Sequence, residues 1–272
     1  MNSPAKNSNT NSSNTANTTM PAVFIGHGSP MNTLETNRYT TAWREFGASV
    51  PRPRAILAIS AHWYIKGTAV TAMTTPRTIH DFGGFPDQLF AYRYPAPGDP
   101  QLAAEVAELV KPTVATLDHE WGLDHGTWSV LAHMFPTADV PVVQLAIDAN
   151  APFDHHLQLG AQLAPLRESG VLVVASGNVV HNLRLLQWAE PDAGLAWAQA
   201  FNEAANALME SDPANIASLT SHPSYRMAAP TPEHFIPLLH VAGLAAAAGR
   251  GTGVLVDGYA MGSLSMTSHV LA

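Results

Sequence analysis

The sequence predicts an α/β protein, a layered fold with a central mixed β-sheet flanked by helices and a metal site at the carboxyl ends of the strands. Three observations carry that reading. Short apolar runs rich in Val and Ile, at 22–26, 55–61, 142–147 and 171–176, read as strands buried on both faces. Segments of helical length lie between most of them, as crossovers between parallel strands require. Two runs stop at a histidine flanked by small residues, where open α/β sheets build their sites.

Taken in order, residues 1–20 are mostly Asn, Ser and Thr and read as a disordered tail without the apolar run of a secretory signal. Residues 21–272 read as one domain, since 272 residues at 46% hydrophobic suffice for one large core. The first strand, 22–26, ends at His27. A helix over 40–48 is stopped by Pro51 and Pro53. The second strand, 55–61, runs into His62, and 68–73 reads as a third. Residues 74–97 form a long aromatic loop rich in Pro and Gly, a kind of segment that commonly carries function. Asp99 and Pro100 supply an N-cap and a proline at the first helical position.

A second polar and aromatic loop, 118–128, holds His125 and leads to a short helix ending near Met134. Strand 142–147 follows, then a helix capped by Asp154 and running to Arg167. Strand 171–176 leads to His181, and 193–209 reads as an Ala-rich helix. Thr231 is placed as the N-cap of a helix through Ala248, with Glu233 and His234 in its first turn. Residues 253–259 and 262–270 close the chain as an antiparallel hairpin, which makes the sheet mixed.

Charge and composition exclude several functions. The formal net charge is -8 with only 13 Lys and Arg, so there is no basic face for nucleic acid. No apolar run is long enough to span a bilayer, and the cytoplasm is the expected location. There are no cysteines, so any transition metal must be held by His, Asp or Glu. A monomer and a homodimer are equally compatible with this surface.

The 13 histidines are then the residues to sort. His27 and His62 end strands beside Gly26, Gly28 and Ala61, whose small side chains leave room for an ion. His234 shares a helical face with Leu238 and Val241 and is favoured as a third ligand, with Glu233 as the alternative. His181, beyond a strand end, suits a general acid/base. His125, between Asp124 and Gly126, is a further candidate. His133, His155, His156, His240 and His269 are read as structural. Trp63, Phe82, Phe85, Tyr92, Trp121 and Trp128 are available to line an aromatic pocket.

With these residues in place, the chain resembles the class III extradiol ring-cleavage dioxygenases, in their 4,5-DOPA extradiol dioxygenase-like branch. The motifs are Gly26-His27-Gly28-Ser29-Pro30, Ser60-Ala61-His62-Trp63, Asp81-Phe82-Gly83-Gly84-Phe85-Pro86 with Tyr94-Pro95-Ala96-Pro97-Gly98, Gly122-Leu123-Asp124-His125-Gly126-Thr127-Trp128, Ser176-Gly177-Asn178-Val179-Val180-His181-Asn182-Leu183, and Glu233-His234-Phe235-Ile236-Pro237-Leu238. They span nearly the whole of 21–272, in order. The resemblance implies one divalent metal ion, Zn(II) or Fe(II), held by His27, His62 and His234. It implies His181 as a fourth ligand or the acid/base, and His125 near dioxygen or substrate. The implied reaction is extradiol opening of a catechol-type, DOPA-like ring with O2.

Three rival readings stand beside it. A zinc-dependent hydrolase would activate water at the same histidines, since zinc-bound water can have a pKa near ~7. A serine hydrolase would need Ser29 or Ser176, and neither sits in a G-x-S-x-G elbow. A non-catalytic metal-binding protein would close the site rather than leave an aromatic cavity beside it.

Overall fold

The computed structural model describes residues 19–272, so nearly all of the tail expected over 1–20 lies outside the described residues. Met20 is already part of the folded body. Its N–H donates to the Arg167 carbonyl at 2.9 Å, and Arg167 Nε donates back to the Met20 carbonyl at 2.6 Å.

The elements run β1 (Ala22–Gly26), α1 (Arg38–Ser49), β2 (Ala55–Ile65), β3 (Thr68–Thr71), α2 (Asp87–Ala91), α3 (Pro100–Leu109), β4 (Ala115–Asp118), α4 (His125–Met134), β5 (Val142–Asp148), α5 (Phe153–Gln162), α6 (Ala164–Glu168) and β6 (Val171–Gly177). They continue with α7 (Ala196–Ser211), α8 (Tyr225–Ala228), α9 (Ile236–Ala247), β7 (Gly253–Val256), β8 (Tyr259–Ala260), β9 (Leu264–Ser265) and β10 (Ser268–Leu271). One 8-stranded sheet has the order β4-β3-β5-β2-β6-β1-β10-β7. Its centre, β5-β2-β6-β1, is parallel; β10 pairs antiparallel with β1 and with β7, and β3 antiparallel with β5. The mixed sheet expected from the sequence is therefore present. The C-terminal segment departs from a simple hairpin: β10 inserts between β7 and β1, and β8 with β9 forms a separate ribbon.

Alternation along the central strands makes three layers. Ala22 and Phe24, Leu57 and Ile59, and Val173 and Ala175 face one side, with α3, α5, α7 and α9. Val23 and Ile25, Ile56 and Ala58, and Leu172 and Val174 face the other, with α1, α2 and α4. Each fully buried Val, Leu or Ile stabilises this packing by roughly 1.5–3 kcal/mol. Helix α9 is buried from Ile236 to Ala245, as a helix apolar on all sides must be.

Because β1, β2 and β6 are parallel neighbours, their carboxyl ends lie along one edge of the sheet. His27 follows β1 directly, and His181 lies just beyond β6. His62 lies within β2, where pairing with β5 is irregular between Ile59 and Tyr64. Such an interruption re-aims side chains.

Candidate metal centre

Three histidines meet at that edge. His27, His62 and His234 each offer a nitrogen, and the three nitrogens lie within 4.8 Å of one another. His27 is 1% exposed and His234 7%. The Nε2 atoms of His27 and His62 stand 3.2 Å apart.

Hydrogen-bond bookkeeping fixes the tautomers. Ser176 Oγ donates its one hydrogen to the Gly126 carbonyl at 2.6 Å. Towards His27 Nδ1, 3.0 Å away, it can therefore only accept, so His27 carries its proton on Nδ1. His62 Nδ1 faces Asp81 Oδ2 at 3.1 Å, and His234 Nδ1 faces Glu233 Oε1 at 3.3 Å. Carboxylate oxygens accept, so these rings too are protonated on Nδ1. With each ring neutral, the three Nε2 lone pairs are bare, and those of His27 and His62 face each other 3.2 Å apart. That arrangement fits a cation. Two nitrogens bound to one tetrahedral ion at about 2.0–2.1 Å stand roughly 3.3 Å apart.

Electrostatics favour the neutral, ligating form at His27 and His234 and the charged form at His62. Burial first, then His62, His234, His125 and His181, holds His27 well below the usual histidine range. Burial and the neighbouring histidines do the same for His234. Burial acts against the charged form of His62, but hydrogen bonding to Asp81 and the charges of Asp124, Asp81 and Glu233 outweigh it and raise its pKa.

Asp81 serves two rings. Its Oδ1 accepts the His125 backbone N–H at 3.0 Å and lies 2.9 Å from His125 Nδ1, out of line for a hydrogen bond. His62 and His125 rings are 3.8 Å apart between centroids. Asp124, fully buried, ties both segments together. It accepts from Ser60 Oγ at 2.6 Å, from the Thr127 N–H at 3.2 Å and from Gln144 Nε2. Asp124 is also the N-cap of α4, so His125 is the first residue of a helix rather than part of the loop expected. Burial lowers the His125 pKa against the raising effect of Asp81.

His181 groups with Glu233 and His234, their ligand atoms within 4.8 Å of one another, and not with His27 and His62. Its ring stacks on His234 with centroids 3.5 Å apart and planes 3° off parallel. Burial pushes its pKa down to about 4. Glu233, the alternative third ligand, sits behind His234 on Nδ1 and accepts from Thr231 Oγ1 at 2.7 Å. The helix expected to start at Thr231 starts at Ile236, with Pro237 in its first turn, so His234 lies in the turn before it. The His234 carbonyl accepts the Asn178 N–H at 2.8 Å, which fastens that turn to the end of β6.

The histidines open on a cleft of about 1260 Å³ whose walls include Phe82, Phe85, Leu264 and Met266. Phe82 meets His125 edge-on at 5.4 Å. The remaining aromatic candidates back it or lie elsewhere: Tyr92 and Trp128 stack on each other behind Phe82, and Trp63 stacks on Trp121. Ser29 is spent as a cap and Ser176 as the His27 partner, so neither is a free nucleophile. His133, His240 and His269 bond Asn32, Ile236 and Thr252 respectively, as structural histidines do. The sequence reading missed the roles of Asp81 and Ser176. The carboxylate beside His80 in a glycine-rich loop was the available signal for the first.

A three-layer α/β body with a histidine-lined cleft at its parallel strand ends defines the class. Residues 20–266 match the family of the catalytic LigB subunit of aromatic ring-opening dioxygenase, and the chain belongs to it. It is a metal-dependent ring-cleaving dioxygenase of the extradiol kind, which selects ring opening over the hydrolytic alternative. Over 260 residues it is 49% identical to the 4,5-DOPA dioxygenase extradiol of Escherichia coli (strain K12), covering 93% of this chain and 95% of that one. The Beta vulgaris protein of the same name is 38% identical over 228 residues, 80% of this chain and 84% of that one. A crystal structure of an uncharacterized Escherichia coli K12 protein superposes with a TM-score of 0.81 at 44% identity, covering 93% of this chain and 100% of that one. Among the described residues, no helix is long and apolar enough to cross a membrane.

Proposed function

We propose that residues 21–272 form one cytoplasmic catalytic domain that opens a catechol bearing a DOPA-like side chain. His27, His62 and His234 hold one divalent ion, His181 is the acid/base and His125 acts beside the reacting ring. The observation that carries the ligand set is the pair of bare Nε2 atoms 3.2 Å apart, each backed by a partner on Nδ1. Fe(II) is the working metal, since zinc fills the same donor set but has no redox chemistry. The substrate class rests on the names of the relatives and on the Phe82 and Phe85 wall.

When bound, the ion supplies a Lewis-acidic, redox-active centre that brings diol and dioxygen together. The protein's own residues do the rest. Phe82 and Phe85 give the planar ring an apolar wall and exclude water from it. His181 is neutral at neutral pH, so it can take a proton from a diol hydroxyl. Stacking supports that role over ligation. The His181 ring is stacked on His234, and its nitrogen groups with Glu233 and His234 rather than with His27 and His62. His125 faces Asp81 through Nδ1, which leaves Nε2 as its open nitrogen.

Metal analysis of single variants tests the assignment. His27→Ala, His62→Ala and His234→Ala should each lose the ion. His181→Ala should keep it while turnover falls by roughly 10²–10⁴. Loss of metal from His181→Ala would make it a ligand instead.

A further inference from the structure

The metal cleft continues past the histidines. Its wall follows the 3-10 turn Pro30–Thr33 to the start of α1, where Arg38 lines it. The Arg38 head group is held in place. Nη2 donates to Tyr39 Oη at 2.7 Å, and Tyr39 Oη donates its own hydrogen to the Tyr259 carbonyl at 3.0 Å. Cζ lies 4.6 Å from the centroid of the Tyr39 ring. Gly258 leaves the space: a Cβ there would stand 1.9 Å from Nη2 and 2.5 Å from Tyr39 Oη.

Arg38 is an exposed residue, and among the described residues its guanidinium has no anionic partner. Among the described residues its one hydrogen-bond partner is Tyr39 Oη. A guanidinium presents five N–H donors in a planar fork that matches a carboxylate, and most of these are unused. Glu35 and Asp192 also line the cleft, and neither is ion-paired among the described residues. One cation and two carboxylates, all exposed and without ion pairs among the described residues, share a cleft with the metal histidines. That is the charge complement of an α-amino acid head group.

We propose that Arg38 anchors the carboxylate of the substrate, so that the ring opened at the histidines carries a side chain ending in a carboxylate. Glu35 and Asp192 favour an ammonium beside it. This assignment rests on the ring-opening reading and adds the residue that selects among catechols. Arg38 acts on binding and takes no part in bond breaking.

Four catechols separate the charges: DOPA with both, dihydroxyphenylpropionate with the carboxylate alone, dopamine with the ammonium alone, and 4-methylcatechol with neither. Oxygen uptake by the metal-loaded protein gives kcat and KM for each, and anaerobic calorimetry gives binding without turnover. Arg38→Gln should raise KM for the two carboxylates about 10- to 100-fold, the worth of a lost charge-assisted pair. Turnover numbers should change less than about twofold. Constants for dopamine and 4-methylcatechol should hold, and Arg38→Lys should recover part of the loss. Equal effects on all four catechols, or no effect on any, would overturn the proposal. If the wild-type protein opened none of them, the ring-opening reading would fail by itself. Calorimetry would still decide on Arg38, by whether a carboxylate preference exists and disappears in Arg38→Gln.

Discussion

Asp81 does for two histidines what no neutral isostere can. Its oxygens only accept, so both can face an Nδ1, one on His62 and one on His125. Burial alone would raise its pKa, but the close contacts and charges of His125 and His62 hold it well below the usual carboxylate range. In Asp81→Asn one side of the amide must present N–H to one ring, forcing that ring to the other tautomer. Metal affinity or turnover should fall by roughly 10–100-fold, as for other groups that orient a ligand. Chelator competition and steady-state kinetics measure the two; wild-type values for both would contradict the role. His27 and His62 were legible in the sequence because a histidine beside small residues at a strand end is a local pattern. Asp81 was not, because its partners are brought to it only by the fold, His125 from 44 positions away.

At the scale of elements, the site depends on close approach between segments. A Cβ at position 126 would stand 2.4 Å from Ser60 Oγ and 2.8 Å from His62 Cδ2, and one at position 177 would stand 2.2 Å from the His234 carbonyl oxygen. Gly126→Ala and Gly177→Ala should therefore each cost about 1–3 kcal/mol and lower metal occupancy. Urea unfolding and metal content check this, and full occupancy at wild-type stability would refute it. Strands β1, β5 and β6 were read to within a residue because buried apolar runs depend little on context, whereas β2 runs on to Ile65 and the short, half-exposed β4 was not read. Two helix starts at the site were misplaced. Thr231-Pro232 has the local chemistry of a cap, but the turn it opens is spent on binding Asn178 and on holding His234, and the helix waits until Ile236. His125 was placed in a loop because its helix is fixed by the buried contacts of Asp124 with Ser60 and Gln144, which sequence spacing does not reveal.

Across the whole molecule, neutral histidines are buried in both the sheet and its covering helices. Burial pushes His156 in α5 and His269 in β10 down to about 4 from an ordinary 6.5. Between pH 6.5 and 4 the unfolded chain takes up protons that the folded chain refuses, so stability is full above 6.5 and falls as pH drops through that window. Urea midpoints of the metal-free protein at pH 7 and pH 5 should show this, with a shallower fall in His156→Gln. A midpoint independent of pH would rule it out. The layered mixed sheet was legible from the alternation of apolar runs and helices; the insertion of β10 beside β1 was not, since sheet order is a long-range choice. The proposed metal set is three imidazoles at one sheet edge, holding the ion on which ring opening depends. The most direct test is oxygen uptake by metal-free protein reloaded anaerobically with Fe(II) or Zn(II) and then given a catechol. One O2 consumed per catechol with Fe(II), none with Zn(II), and none in His234→Ala is the predicted result. Uptake undiminished in the metal-free protein or in His234→Ala would contradict it.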